Sequence, residues 1–83
     1  MPLYMDIHTI GGGVSAEDVA KAHMADLQTQ GKYDVRYLRY WVDEHAGKIF
    51  CLAEAPSAEA AANVHREAHG LEAEEIFEVQ EGS

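Results

Sequence analysis

The sequence has only one cysteine among its 83 residues, so no disulfide can form within the chain. This excludes the disulfide-stabilised folds of small secreted proteins. No apolar run approaches the roughly 18 residues that a membrane-spanning helix requires. The first residues, Met1–Asp6, also lack the basic and apolar stretches of a signal peptide. We therefore expect a cytoplasmic protein with no membrane partner.

Basic residues are also scarce, since six lysines and arginines stand against 15 aspartates and glutamates, for a formal net charge of −9. A surface of this sign repels nucleic-acid phosphates and anionic lipids, so neither is an expected partner. The apolar fraction of 47% is that of a globular protein. We expect a single domain over residues 1–83. Because so short a chain buries a small core, a second copy would stabilise it.

The chain divides into four predicted strands and two predicted helices. Ser15 and Ser57 precede the helices as capping residues, and Gly31 and Gly70 are the expected stops. The strands are expected at Leu3–Ile10, Val35–Val42, Lys48–Glu54 and Glu74–Val79. The resulting βαββαβ order predicts an α+β ferredoxin-like fold, in which two helices cover one face of a four-stranded antiparallel sheet.

Alternation along the strands predicts which side chains face the helices. The inward set is expected to be Leu3, Met5, Ile7 and Thr9 in the first strand and Leu38, Tyr40 and Val42 in the second. The outward set of the same strands is then Tyr4, Asp6, His8, Ile10, Tyr37, Arg39 and Trp41. With Phe50 and Leu52 of the third strand added, the uncovered face is too apolar for water. This predicts a homodimer in which two sheets pack face to face, a dimeric α/β barrel.

A pair of histidines on the second helix, His65 and His69, gives the sharpest chemical signal. At a spacing of four residues on a helix the two rings lie one above the other and can converge on one metal ion. The alternative is a pair of surface histidines near a helix C-terminus, where positive charge is favoured.

Other candidate ligands lie on the remaining elements. His23 falls on the apolar face of the first helix, where its ring needs a metal or a hydrogen-bond partner. Asp6 and His8 share one face of the first strand. Their possible roles are metal ligands, an acid/base pair or a polar pair in the dimer interface. Cys51 is either a core residue or a soft metal ligand, and Glu54 could add a hard oxygen.

Five histidines in 83 residues is a high count, and four of them lie on elements that surround one sheet. This favours a transition metal, with nickel, zinc and copper all suited to imidazole and carboxylate. His45 falls in a hairpin turn and is expected to be exposed. No enzyme motif is evident, because Gly11–Gly13 lacks the lysine and the spacing of a phosphate-binding loop. We therefore assign no catalytic residue and no organic cofactor.

Four segments match one known family in order and spacing: Pro2–His8, Tyr37–Trp41, Phe50–Ser57 and Val64–Gly70. They resemble the small nickel-binding ferredoxin-like proteins of actinomycetes, part of a larger family of unassigned function. The resemblance implies a homodimer that binds nickel. Our first hypothesis for the role of this binding is nickel storage, buffering or delivery. The ligands it implies are His8, His65 and His69, with Asp6, His23, Cys51 and Glu54 as further candidates.

Two other functions stay open from the sequence. One is a dimeric α/β-barrel enzyme that acts on a small organic substrate in a pocket between helix and sheet, with His23, Tyr40 or Cys51 facing that pocket. The other is a regulatory subunit whose histidines are structural. A pocket with no bound metal would favour the enzyme, and metal uptake that depends on His65 and His69 would favour the metal-binding protein.

Overall fold

The elements of the fold follow one another in the order β-α-β-β-α-β. A computed structural model describes residues 1–82, so Ser83, the end of the predicted domain, lies outside the described residues. The elements are β1 (Leu3–Thr9), α1 (Ala16–Thr29), β2 (Arg36–Asp43), β3 (Lys48–Glu54), α2 (Ala58–Ala68) and β4 (Glu75–Val79). The sheet is antiparallel with strand order β2-β3-β1-β4. The predicted ferredoxin-like fold is confirmed.

Both helices begin where the capping residues predict. The Ser15 hydroxyl accepts a hydrogen bond from the Asp18 amide, and the Ser57 hydroxyl accepts one from the Ala60 amide, each at 3.1 Å. Gly70 follows α2 with a φ of 78°, as expected for a glycine stop.

The α-helix ends at Thr29, close to the predicted stop at Gly31, but Gly31 lacks the left-handed conformation of a glycine stop. After α1 the chain continues as a 3₁₀ turn over Gln30–Tyr33, which includes Gly31. The turn ends at Asp34, whose φ of 58° is left-handed. Aspartate is one of the few side chains that tolerate this conformation, so it can take the place of a terminal glycine.

The two faces of β1 are the reverse of the prediction. Asp6 and His8 point toward the helices and are only 1% and 3% exposed. Leu3 and Met5 instead line a groove on the uncovered face. Alternation shows which side chains of a strand share a face, but it does not show which face is covered by the helices. In β1 apolar residues occur on both faces.

A β-bulge accounts for a second correction, in β2. The register of β2 against β3 shifts between Tyr37 and Arg39. Tyr37 therefore lies in the core at 4% exposure, whereas Leu38, predicted to point inward, is 37% exposed. Beyond the bulge, Tyr40 packs against the core as predicted. A bulge adds one residue to the strand, so strict alternation fails on one side of it.

The core lies between the helices and the inner face of the sheet. Its buried apolar residues are Val19, Val35, Tyr37, Ile49, Cys51, Ala53, Ala55, Ala61 and Val64. Leu27 of α1 is 39% exposed, whereas the neighbouring Asp26 is buried. None of the helices within residues 1–82 is long and apolar enough to cross a membrane.

The opposite face of the sheet, called the open face below, is largely apolar. Register across the strands places these side chains on it: Leu3, Met5, Ile7, Trp41, Phe50, Leu52, Phe77 and Val79. Trp41 and Phe77 are each 47% exposed. The prediction of an apolar open face holds for Trp41, Phe50 and Leu52, but Tyr4 and Tyr37, expected there, pack on the helix side.

Candidate metal centre

Two carboxylates and three imidazoles form a continuous line of polar contacts between the helices and the sheet. His65 lies at its centre, with Nδ1 2.9 Å from Asp26 Oδ1 and Nε2 2.9 Å from Asp6 Oδ2. At one end, His8 Nε2 is 3.0 Å from Asp6 Oδ1. At the other end, His69 Nε2 is 3.0 Å from Asp26 Oδ1. One imidazole thus joins two carboxylates, each of which also contacts a second histidine.

Local structure explains why these side chains meet. Asp6 and His8 are two residues apart on β1, so both point to the same face of the sheet. Cys51 on β3 lies directly opposite Asp6 in the antiparallel register. His65 and His69 are one turn apart on α2, and α1 packs against α2 and supplies Asp26.

The donor atoms fall into two groups that share His65. The inner cluster consists of Asp6, His8, Cys51 and His65, all of them buried. The outer cluster consists of Asp26, His65 and His69. In each cluster the potential ligand atoms lie within 4.8 Å of one another, which is close enough to surround one ion.

The protonation states follow from burial and these contacts. Burial lowers the pKa of His65, but the hydrogen bonds to Asp26 and Asp6 outweigh it and raise that pKa to about 11. Burial raises the pKa of the Asp6 carboxyl, but hydrogen bonds from His65 and His8 hold it well below its usual range. The pKa of Asp26 is lowered in the same way by His65 and His69. At neutral pH both carboxylates are therefore ionised and His65 is an imidazolium, so these three groups together carry one net negative charge, which attracts a cation.

Two side chains complete the inner cluster. The Tyr37 hydroxyl donates a hydrogen bond of 2.7 Å to Asp6 Oδ2 and so helps to fix that carboxylate. Burial raises the pKa of the Cys51 thiol to about 11, so the thiol keeps its proton in the metal-free protein. A bound cation would favour the thiolate, because coordination lowers a thiol's pKa.

An unpartnered nitrogen tests whether these residues fit a metal ion. His8 faces an ionised carboxylate through Nε2, and because a carboxylate only accepts, Nε2 must carry the hydrogen. In the neutral ring the lone pair is then on His8 Nδ1, which is buried and has no hydrogen-bond partner among residues 1–82. A carboxylate that fixes the tautomer of a histidine in this way is typical of metal-binding histidines.

The adjoining cavity has the size of an ion rather than of a substrate. Its volume is about 20 Å³, and His8, Cys51, His65, Asp26 and His69 all contribute to its walls. One water molecule or one ion needs about this space. Pockets for small organic molecules are typically about 300–1,000 Å³. The residues and the cavity together fit a single metal ion.

The remaining sequence candidates lie apart from the two clusters. His23 lines the same cavity, but its ring packs against Tyr40 with the centroids 4.6 Å apart. Glu54 lies opposite Leu3 at the end of β3, where it lines the groove on the open face. Glu54 is therefore separated from the clusters by the sheet. His45 is exposed, as predicted.

Two residues of the centre, Asp26 and Tyr37, were not predicted. Asp26 follows Val19 by seven residues and His23 by three, so it falls on the buried face of α1. A carboxylate on a buried helix face is a signal in the sequence that could have identified Asp26 as part of the centre. Tyr37 gave no such signal, because the bulge in β2 reverses its direction.

The fold and this centre define a ferredoxin-like protein with a buried cluster able to hold a metal ion. The chain belongs to the family described as Nickel responsive protein SCO4226-like, which it matches over residues 4–79. This confirms the resemblance found in the sequence. The crystal structure of SCO4226 from Streptomyces coelicolor A3(2) is similar, with 38% identity and a TM-score of 0.90. The match covers 98% of this chain and 99% of that one. No curated protein matches the sequence.

Proposed function

We propose that the protein binds a nickel ion in the inner cluster and serves in nickel storage, buffering or delivery. The observation that carries the proposal is the buried, unpartnered Nδ1 of His8, a residue that lines a cavity of about 20 Å³ and shares the inner cluster with Cys51 and His65. A buried nitrogen without a partner costs free energy, which a metal ion at that position would recover. The family description, which names nickel, supports the choice of metal.

The donor set suits nickel. Imidazole, thiolate and carboxylate together bind borderline transition metals more strongly than calcium or magnesium, which take oxygen ligands. For a given site, nickel binds more tightly than manganese, iron or cobalt, while copper binds more tightly still. Zinc and copper are therefore the competitors against which nickel must be compared.

The cavity supports a metal over an organic substrate. An enzyme of the dimeric α/β-barrel kind would place its substrate between α1 and the sheet, where His23, Tyr40 and Cys51 lie. The space there is about 20 Å³. That is more than tenfold smaller than a typical substrate pocket, which starts at about 300 Å³.

Thermal unfolding of chelator-treated protein tests the proposed function. A ligand at about 100 times its dissociation constant stabilises the native state by about 2.7 kcal/mol. For a domain of this size that corresponds to a rise of roughly 10–20 °C in the unfolding temperature. We expect nickel to produce a saturable rise of this order, measured beside zinc, copper and cobalt.

Matched histidine variants locate the binding. His8→Ala removes the unpartnered buried nitrogen and is expected to lose most of the nickel-dependent rise. His45→Ala removes an exposed histidine from the hairpin and is expected to keep it. Wild-type protein whose unfolding temperature does not change with any of the four metals would contradict the proposed function.

We further propose that the protein is a homodimer formed through the open face. The support is the extent of apolar surface there, including Trp41 and Phe77 at 47% exposure. A continuous apolar surface of this kind on a small protein is typical of an interaction site. Two such sheets packed face to face would form the dimeric α/β barrel that the sequence indicates, with both metal centres on the outside of the sheets.

A further inference from the structure

We infer that the two copies of the proposed homodimer are related by a two-fold axis parallel to their strands, so that β2 of each copy lies against β4 of the other. This inference rests on the proposed homodimer and adds which edges of the two sheets meet. The side chains that select this arrangement are arginines on β2 and glutamates on β4 and just after it.

Two basic side chains have no acidic partner within the chain. Three of the six lysines and arginines form salt bridges with glutamates, and a fourth donates a hydrogen bond to a threonine. The other two, Arg36 and Arg39, form no salt bridge within residues 1–82, although 15 acidic residues are present in the chain. Both arginines lie on β2 and are exposed. They are therefore available to an acidic surface outside the chain.

Register places both arginines on the open face. Arg39 lies opposite Leu52 of β3, and Arg36 lies opposite Glu54, whose side chain lines the groove on that face. Arg39 also lines the groove, together with Trp41. Arginine and tryptophan are among the residues that contribute most to binding at protein interfaces. The β2 edge of the open face thus has the composition of an interface.

The other edge of the open face carries the opposite charge. β2 and β4 are the two edge strands of the sheet. Glu75 of β4 lies opposite Ile7 and so on the open face, and Glu81 lines the groove just beyond β4. Both glutamates are exposed, and neither forms a salt bridge within residues 1–82. The open face therefore has a basic edge, an apolar centre and an acidic edge.

Symmetry offers two ways to pack this face against its copy with the strands aligned. A two-fold axis across the strands sets β2 against β2, so arginines meet arginines at one edge and glutamates meet glutamates at the other. An axis along the strands sets β2 against β4, so Arg36 and Arg39 meet Glu75 and Glu81 at both edges. Because opposite charges fix the register of an interface and like charges oppose it, the charges select the axis along the strands.

Cross-linking tests which edges meet. Leu38→Cys and Gln80→Cys place a thiol on β2 and just beyond β4, at exposed positions that line the groove. Sheets packed face to face lie about 10 Å apart, so a bis-maleimide reagent of about that span can join the thiols. We expect a mixture of the two variants, after subunit exchange, to give a covalent pair with one copy of each. Each variant alone should give at least about tenfold less cross-linked product, because its two thiols lie at opposite edges.

Wild-type protein is the control, since its single thiol, Cys51, is buried. A Leu38→Cys protein that cross-links to itself as readily as to the Gln80→Cys protein would overturn the inference.

Charge reversal tests the side chains themselves. Arg36→Glu/Arg39→Glu is expected to raise the dissociation constant of the dimer about a hundredfold, because glutamates then face glutamates. Adding Glu75→Arg/Glu81→Arg in the same chain makes the facing charges opposite again. This should return the constant to within about tenfold of the wild-type value. A reversed protein that dimerises as tightly as wild type, or that the added arginines fail to restore, would overturn the inference.

A matched control separates this effect from that of net charge. Lys21→Glu/Lys32→Glu makes the same change in charge at residues whose partners are Glu17 of α1 and Glu67 of α2, away from the open face. We expect this variant to dimerise with a dissociation constant close to that of wild type. Equal weakening in both reversed proteins would assign the effect to net charge and would also overturn the inference.

Light scattering on the wild-type protein distinguishes failure of the inference from failure of the proposed homodimer. Wild-type protein with the mass of a monomer overturns the homodimer and the inference with it. A wild-type dimer in which Leu38→Cys cross-links to itself overturns only the axis along the strands.

Discussion

Replacing His65 by alanine is expected to abolish nickel binding and to destabilise the metal-free protein by about 3–5 kcal/mol. His65 belongs to both clusters, so its loss removes a ligand from each. It is also the imidazolium that pairs with the buried Asp6 and Asp26. Without it, two carboxylates stay buried with less compensation, and small domains have only about 5–15 kcal/mol of total stability.

A second substitution keeps this test informative if His65→Ala does not fold. In His65→Gln the amide group can still donate to one carboxylate, so we expect a folded protein with a smaller loss of stability and no nickel binding. Urea unfolding of chelator-treated samples gives the stability, and calorimetric titration gives the affinity. His45→Ala is the control for both. A His65→Ala protein that binds nickel with wild-type affinity would show that the ion is held elsewhere.

Replacing Leu52 by lysine is expected to convert the proposed homodimer into a monomer. Leu52 lies in the middle of β3, between Met5 and Arg39 on the open face. An ammonium group buried at the centre of an apolar interface costs several kcal/mol. A cost of about 4 kcal/mol raises the dissociation constant about a thousandfold.

Light scattering coupled to size exclusion measures this change. Leu27→Lys makes the same substitution at a leucine on α1 that is 39% exposed, on the helix side of the molecule. We expect Leu27→Lys to remain a dimer and Leu52→Lys to elute as a monomer that still binds nickel. A Leu52→Lys protein with the mass of a dimer would contradict an interface through the open face.

The order of elements and the helix boundaries could be predicted from the sequence, because they depend on local chemistry. Ser15 and Ser57 cap the helices through hydrogen bonds to amides three residues ahead. His65 and His69 could be placed side by side from their spacing alone. These features need only the geometry of a single helix.

The orientation of β1 could not be predicted, because it depends on what covers each face of the sheet. Because polar side chains usually point to solvent, the sequence predicts that Asp6 and His8 lie on the open face. In the structure they point inward, because His65 and Tyr37 satisfy Asp6 with hydrogen bonds. Those partners lie 59 and 31 residues away in the chain, so no local pattern announces them.

The composition of the metal centre also depends on contacts between distant parts of the chain. Asp26 joins it only because α1 packs against α2, a contact between distant parts of the chain. The sequence predicts Glu54 as a ligand beside Cys51, because both lie on β3. Their separation by three residues places them on opposite faces of the sheet. Candidate ligands could thus be predicted by residue type, but their grouping required the tertiary structure.

A crystal structure of the nickel-loaded protein, with diffraction data collected at the nickel absorption edge, would test most directly that the ion is held in the inner cluster. We expect the strongest anomalous peak beside His8 Nδ1, within coordinating distance of Cys51 and His65. Anomalous peaks confined to surface residues such as His45, with none between α2 and the sheet, would contradict it.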